Sequence, residues 1–195
     1  MVKVITALGV DFDILCEKLS DKIICNYSPD LIIGIATGGE IVARTVALKM
    51  DTPVMILKRQ RGLTKYKSRF NISKILPFFP RWFNDFLRRY EIKYNERRFL
   101  AKGKKRNICD VMLISGELDN LSRFSQILLI DDSVDSGGTM IDCVNFLQKF
   151  LAKNTTIKTA SLNVTFKEPA FIPDFYLYKD VLIRCPWAND VRRVK

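Results

Sequence analysis

Ile127-Leu-Leu-Ile-Asp-Asp-Ser-Val-Asp-Ser-Gly-Gly-Thr-Met140 decides how the rest of this chain is read. Four apolar residues without polar alternation predict a strand buried on both faces, the pattern of a parallel sheet. Asp131 to Gly138 reads as the loop at that strand's carboxyl end. Thr139 stands near the start of a helix carrying Met140, Ile141, Val144, Leu147 and Leu151. Open α/β sheets bind ligands at such loops. Gly137 and Gly138 let the backbone turn tightly and approach a ligand. Their N–H groups, with the Ser136 and Thr139 hydroxyls, predict an anion cradle at a helix N-terminus. No lysine follows the glycines, so this is not the triphosphate loop GxxxxGK[ST], and the GxGxxG spacing of a dinucleotide site is absent. Adjacent carboxylates ahead of a phosphate cradle suit a sugar phosphate, with its anion in the loop and its hydroxyls on the acids.

The same grammar extends to both sides. Asp11 to Asn26 places Phe12, Leu15, Leu19 and Ile23 at helical spacing, with Asp11 as the expected cap. Leu31 to Ala36 is a second buried strand, Thr37-Gly38-Gly39 turns the chain, and Glu40 to Met50 is a helix. Pro53 to Leu57, Ile108 to Ser115, Thr156 to Phe166 and Phe175 to Ile183 supply the remaining strands. Helices and strands alternating in this way predict an α/β fold with a parallel sheet flanked by helices.

A chain of 195 residues fits a single domain, 1–195. Apolar content of 48% and charged content of 27% are those of a globular protein. No apolar run reaches the roughly 20 residues of a membrane span, and Asp11 and Asp13 come too early for a signal peptide. Five cysteines, none in CxxC spacing, read as buried thiols of a reducing compartment. A cytoplasmic location is the expectation. Histidine is absent, which excludes His-based triads, His metal ligands and imidazole acid–base chemistry. Carboxylates, hydroxyls, amides, cations and an oxygen-held metal remain.

The net charge of +11 belongs to one segment. Residues 58–106 hold 17 Lys and Arg against Asp85, Glu91 and Glu96. That stretch is too long for a simple loop. After Pro80, Phe83, Phe86, Leu87, Tyr90 and Tyr94 share one helical face, with Trp82 beside them and Arg88, Arg89, Lys93, Arg97 and Arg98 elsewhere: an amphipathic basic helix. Four roles are open: a flank or lid of the site packed on the core, a subunit interface, a peripheral membrane contact through 72–101, or a nucleic-acid surface. No nucleic-acid reader motif accompanies the charge, so nucleic acid is the least expected partner.

Ile130-Asp-Asp-Ser-Val-Asp-Ser-Gly-Gly-Thr-Met140 resembles the phosphoribosyl-pyrophosphate (PRPP) motif of the type I phosphoribosyltransferases. The resemblance implies that family's fold, with residues 58–106 as a basic helical insertion and roughly 156–195 contributing a C-terminal hood. It implies that Asp131 and Asp132 hold the ribose hydroxyls and, partly through water, Mg²⁺. The 5′-phosphate then falls to Asp135, Ser136, Gly137, Gly138 and Thr139, and Asp135 also faces the base as the catalytic candidate. Ala36-Thr-Gly-Gly39 resembles the family's pyrophosphate loop, giving Thr37, Gly38 and Gly39 that role. Thr37 stands where the family often has Lys or Arg, and Arg44 lies too far along the helix to replace it; a metal, the backbone or a cation from elsewhere must then neutralise the diphosphate, with Arg59 and Arg61 as the candidate cations.

Asp180-Val-Leu-Ile-Arg-Cys-Pro-Trp187 is similar to the hood of bacterial xanthine-guanine enzymes, and Phe166-Lys-Glu-Pro169 resembles the segment whose lysine meets the 6-oxo group. The implied base-binding set is Lys167, Leu182, Ile183 and Trp187, although Lys167 is one place off the pattern and Leu182 stands where an aromatic stacks. The implied activity is Mg²⁺-dependent transfer of phosphoribose from PRPP to a nucleobase, a 6-oxopurine first, by a homodimer. A phosphoribosyltransferase for another nucleophile and a PRPP-sensing regulator or partner-binding protein are the alternatives.

Overall fold

The computed structural model describes residues 2–60, 79–105, 108–188 and 191. Its centre is a six-stranded sheet in the order β4-β3-β2-β5-β6-β7. These strands are β2 (Leu31–Ile35), β3 (Val54–Arg59), β4 (Val111–Ser115), β5 (Gln126–Val134), β6 (Thr156–Val164) and β7 (Phe175–Lys179). All neighbours run parallel except β4, which lies antiparallel on β3. The fold is therefore α/β with a mostly parallel sheet.

The apolar run at 127–130 is fully buried, as read. Alternate residues serve opposite faces. Leu128 and Ile130 pack with Leu15, Leu19, Val42 and Val46 of helices α1 (Val10–Ile24) and α2 (Gly38–Met50). Ile127 and Leu129 pack with Met140, Cys143 and Leu147 of helix α4 (Gly138–Leu147). Burying such a side chain is worth about 1.5–3 kcal/mol, so both helical layers are held to the central strand. β2 pairs with β5 in the register Leu31↔Ile127 to Gly34↔Ile130. That register brings the loops after β2 and β5 side by side at one edge.

Several boundaries differ from the sequence reading. Gly9 occupies the α1 N-cap position and Asp11 lies in the first turn without a capping bond. A short strand β1 (Lys3–Thr6) precedes α1. The expected strand Phe175 to Ile183 is two strands: Asp180, at φ 58, ends β7, and β8 (Val181–Arg184) leaves the main sheet to pair with β1. Aspartate tolerates this left-handed conformation better than most residues. Cys16, Cys143 and Cys185 are buried, whereas Cys25 is exposed and Cys109 half-buried.

The basic helix exists as α3 (Arg81–Ala101), and much of its aromatic face points to solvent. Trp82, Phe86, Tyr90 and Tyr94 are 72%, 60%, 65% and 54% exposed. The inward side carries Asn84, Asp85, Ile92, Glu96 and Phe99. Asp85 accepts from buried Arg184 of β8 at 2.5 Å. Glu96 accepts the main-chain N–H of Lys167 at 2.6 Å, and Phe99 meets Phe166 at 5.9 Å. Polar anchoring, rather than an apolar stripe, docks this helix. Arg184→Met leaves Asp85 without its partner and should cost about 1–3 kcal/mol. Faster hydrogen exchange along α3, with β5 unchanged, is the expected readout; uniform loosening would mean that Arg184 holds the whole fold instead.

The apolar run at 72–78 and Arg61 lie outside the described residues.

Candidate active site

One pocket of about 1020 Å³ opens at the carboxyl ends of β2, β3 and β5. Its wall includes Thr37, Gly38, Asp131, Asp132, Asp135, Ser136, Gly137, Gly138, Thr139, Leu182 and Trp187. Residues from both glycine loops and from the C-terminal segment thus meet at one cavity.

The β5–α4 loop forms its deep side. Gly137, at φ 83 and ψ 0, is the N-cap of α4. A side chain there would strike the Phe171 backbone at 2.7–2.8 Å. This turn aims the first N–H groups of α4, which have no partner within the helix, at the cavity. Ser136 Oγ accepts loosely from the Gly138 N–H at 3.4 Å. Asp135 accepts from the Thr165 hydroxyl at the end of β6.

The acid pair sits between the two loops. Asp131 Oδ1 accepts the Asp132 N–H at 2.9 Å. Withdrawal from water, and then the Asp132 charge beside it, holds the Asp131 carboxyl well above the usual carboxylate range. Asp132 Oδ2 accepts the Trp187 indole N–H at 2.9 Å, and Trp187 rests edge-on against Phe12 at 5.3 Å. A side chain on Gly38 would collide with that same carboxylate and with the indole nitrogen. Gly38, Asp132 and Trp187 are therefore one packed unit, which joins the β2 loop to the hood.

The donor set fits a hard divalent cation. Two oxygen acids stand together, one of them made reluctant to ionise by burial and then by the other's charge. Among the described residues no group of three or more acid, cysteine or histidine side chains could hold an ion. Mg²⁺ is commonly held in this way, by one or two carboxylates with waters and substrate oxygens.

The remaining expected residues are placed as follows. Gly39 packs its Cα side on the Ile130–Asp131 backbone rather than on the wall. Ile183 is buried in the core beside α1, and Lys167 stands outside the wall. Arg44 pairs with Glu40 at 3.0 Å, away from the cavity. Arg59 reaches the wall, with Nε donating to buried Asp142 at 2.7 Å. Lys58, Gln60, Ser133 and Arg88 also line the pocket, and the sequence reading assigned none of them a site role. Lys58 follows Leu57, whose carbonyl accepts the Ala36 N–H at 2.7 Å, so it stands next to the Thr37 loop. Asn163 of β6 donates to Ser133 Oγ at 3.0 Å and to the Val181 carbonyl at 2.8 Å, tying the acid loop to β8.

Residues 11–170 match the model of the phosphoribosyl transferase domain. The chain belongs to that family. It is a transferase of the pentosyltransferase type. No curated protein matches it in sequence. Among solved structures, it is similar to a purine phosphoribosyltransferase from Pyrococcus horikoshii Ot3, 19% identical with a TM-score of 0.61, over 99% of this chain and 98% of that one. The xanthine-guanine-hypoxanthine phosphoribosyltransferase of Helicobacter pylori is 15% identical with a TM-score of 0.64, over 95% and 94%. A Neisseria gonorrhoeae protein with bound ppGpp is 21% identical with a TM-score of 0.59, over 96% and 90%. At these identities the likeness speaks for the phosphoribosyltransferase fold alone.

Proposed function

We propose that this phosphoribosyltransferase moves the 5-phosphoribosyl group of PRPP onto a ring nitrogen of a 6-oxopurine, with Mg²⁺, releasing pyrophosphate. The observation that carries the reading is the cavity itself: an amide cradle at the start of α4, an acid pair beside it, and a second helix N-terminus at Gly38. The acceptor nitrogen forms a bond to C1′ as the C1′–oxygen bond breaks, and that electron pair leaves with the diphosphate. The nitrogen's proton passes to Asp135 or to water. Asp131 and Asp132 would hold Mg²⁺, which would offset the charge of the leaving diphosphate.

The protein's share is positioning and electrostatics. The Ser136–Thr139 loop holds the 5′-phosphate, and Asp131 and Asp132 hold the ribose hydroxyls and the metal. Thr37 and Gly38 meet the diphosphate through backbone N–H groups, with Lys58 supplying the charge that Thr37 lacks. Asp135, fixed by Thr165, orients the base N–H, and Leu182 lies against the ring. The purine choice is supported by the named acceptors of the Pyrococcus and Helicobacter proteins.

Calorimetry with PRPP and Mg²⁺, followed by transfer assays with each common nucleobase, tests the reading. PRPP binding that needs Mg²⁺, with pyrophosphate release on a 6-oxopurine, is expected. Absence of PRPP binding would remove it. Asp135→Asn should lower turnover at least about tenfold, the worth of one charged hydrogen bond, without moving Tm.

A cytoplasmic location and a homodimeric state belong to the same proposal, and no described helix is long and apolar enough to cross a membrane. The exposed aromatic stripe of α3 supports a partner or membrane contact through residues 72–101. Sedimentation alone and with anionic vesicles separates self-association from lipid binding; a monomer that ignores vesicles would sink both.

A further inference from the structure

We propose that Arg88 selects the acceptor: α3 roofs the base end of the cavity and turns this guanidinium toward a carbonyl oxygen or ionised ring edge of the incoming base. The inference rests on the phosphoribosyl-transfer reading above and names the class of acceptor.

Two anchors place the helix. At one end Asp85 is tied to Arg184 of β8, the strand that carries Leu182. At the other, Glu96 takes the Lys167 N–H, and Lys104 pairs with Glu168 at 3.4 Å. Residues 166–168 follow directly on Thr165, which holds Asp135. Asp85 and Glu96 are therefore fixed to the two structures that flank the acceptor nitrogen, and the helix between them spans about 16 Å. Asp85, Arg88, Ile92, Glu96 and Phe99 follow one another at intervals of three and four, so they share the inward face. Arg88 is the member of that face on the cavity wall. Its side chain is 29% exposed, and Glu91 Oε2 is 3.8 Å away.

The other cations on the wall belong to the opposite end. Lys58 and Arg59 close β3, which is separated from β6 by β2 and β5 in the sheet order. They face the diphosphate side. Lys167, the lysine expected to meet the base, is not on the wall, and its backbone is committed to Glu96. Among the described residues of the wall, Arg88 is the cation carried by α3, the helix anchored to β8 and to residues 166–168. A guanidinium has five donors and no acceptor. It therefore favours an exocyclic oxygen or a deprotonated ring nitrogen and disfavours an amino group, which makes oxo-bases the substrates and adenine a poor one.

The test compares wild type, Arg88→Ala and Arg88→Lys. PRPP affinity is measured by calorimetry with Mg²⁺, and steady-state kinetics use hypoxanthine, guanine, xanthine and adenine. PRPP affinity should stay within about twofold. KM for the oxopurines should rise about 10–100-fold in Arg88→Ala, the range for a charge-assisted hydrogen bond, with partial recovery in Arg88→Lys. The oxopurine-to-adenine preference should fall. Weaker PRPP binding with unchanged base KM would assign Arg88 to the diphosphate end and overturn the inference, as would no change in any parameter. Either result leaves the transfer reading standing; a wild type that binds no PRPP removes both.

Discussion

Asp131→Asn should leave the ligand-free protein more stable at neutral pH and the enzyme nearly inactive. The Asp131 carboxyl is raised well above its ordinary value near 3.8, first by withdrawal from water and then by the Asp132 charge. The folded protein therefore keeps this proton over a pH window in which the unfolded chain has already released it. Where the folded state binds more protons, stability falls as pH rises. The loss begins near the ordinary carboxylate value and is complete once pH passes the raised one. Asparagine carries no charge to suppress, and its carbonyl can still accept the Asp132 N–H, now at 2.9 Å. The variant's Tm should exceed that of wild type at pH 7, with the gap closing toward about pH 3–4, where the acid is protonated in both states.

On the proposed transfer reading, the ribose and the metal need the same carboxylate in its charged form. Transfer should fall about 10²–10³-fold, the usual loss when one preorganised electrostatic contact is removed. Mg²⁺ with PRPP should raise the wild-type Tm and leave the variant's unmoved. Thermal scans across pH, with and without ligands, check both halves. A variant that turns over normally, or that melts below wild type at neutral pH, would show that Asp131 is a structural acid rather than a ligand.

This opposition between stability and function is legible in the sequence only in part. Three acids and two glycines after an apolar run place the cavity loop between β5 and α4, because strand, turn and helix start are all local. The buried strands were readable for the same reason: a run such as Leu31 to Ile35 has no surface alternative. What failed was non-local. The aromatic residues of α3 do recur every four positions, and that periodicity says which residues share a face. It does not say where the face points, because the anchors that decide it, Arg184 and the Lys167 N–H, lie about 70–100 residues away in sequence. Polar inward contacts of this kind leave no hydropathy signature. Nor does anything in the sequence around Arg88 distinguish it from Arg89.

The hood was misread for a different reason. Phe175 to Ile183 is an apolar-rich stretch but for Lys179 and Asp180, and two charged residues without glycine or proline punctuate a strand weakly. The positive φ of Asp180 sends β8 out of the main sheet to meet β1, a strand of four residues too short to be announced by pattern. Ile183 is buried as a result of that pairing, and Leu182 faces the cavity instead. One residue's backbone conformation thus decides which side chain of β8 reaches the cavity.

Gly137→Ala should be the most damaging single methyl in the loop. Two independent costs add. The backbone at φ 83 is left-handed, which costs an L-residue about 1–2 kcal/mol. The new Cβ would also lie 2.7 Å from the Phe171 carbonyl oxygen and 2.8 Å from its nitrogen. Backbone atoms cannot rotate away as a side-chain end would, so the 169–172 segment or the loop itself must shift. Together the expected loss is about 2–4 kcal/mol, or roughly 5–15 °C in Tm for a chain of this length. Gly103→Ala is the matched control: its φ is 63 but nothing lies within 4 Å of the new carbon, so only the backbone cost of about 1–2 kcal/mol applies. The difference between the two variants isolates the steric contribution. Because Gly137 sets the direction of the first α4 amides, PRPP affinity should fall by at least about tenfold in Gly137→Ala and hold in Gly103→Ala. Equal melting temperatures and equal affinities in the two would mean that the loop accommodates a side chain, and the amide cradle could not then be the phosphate's seat.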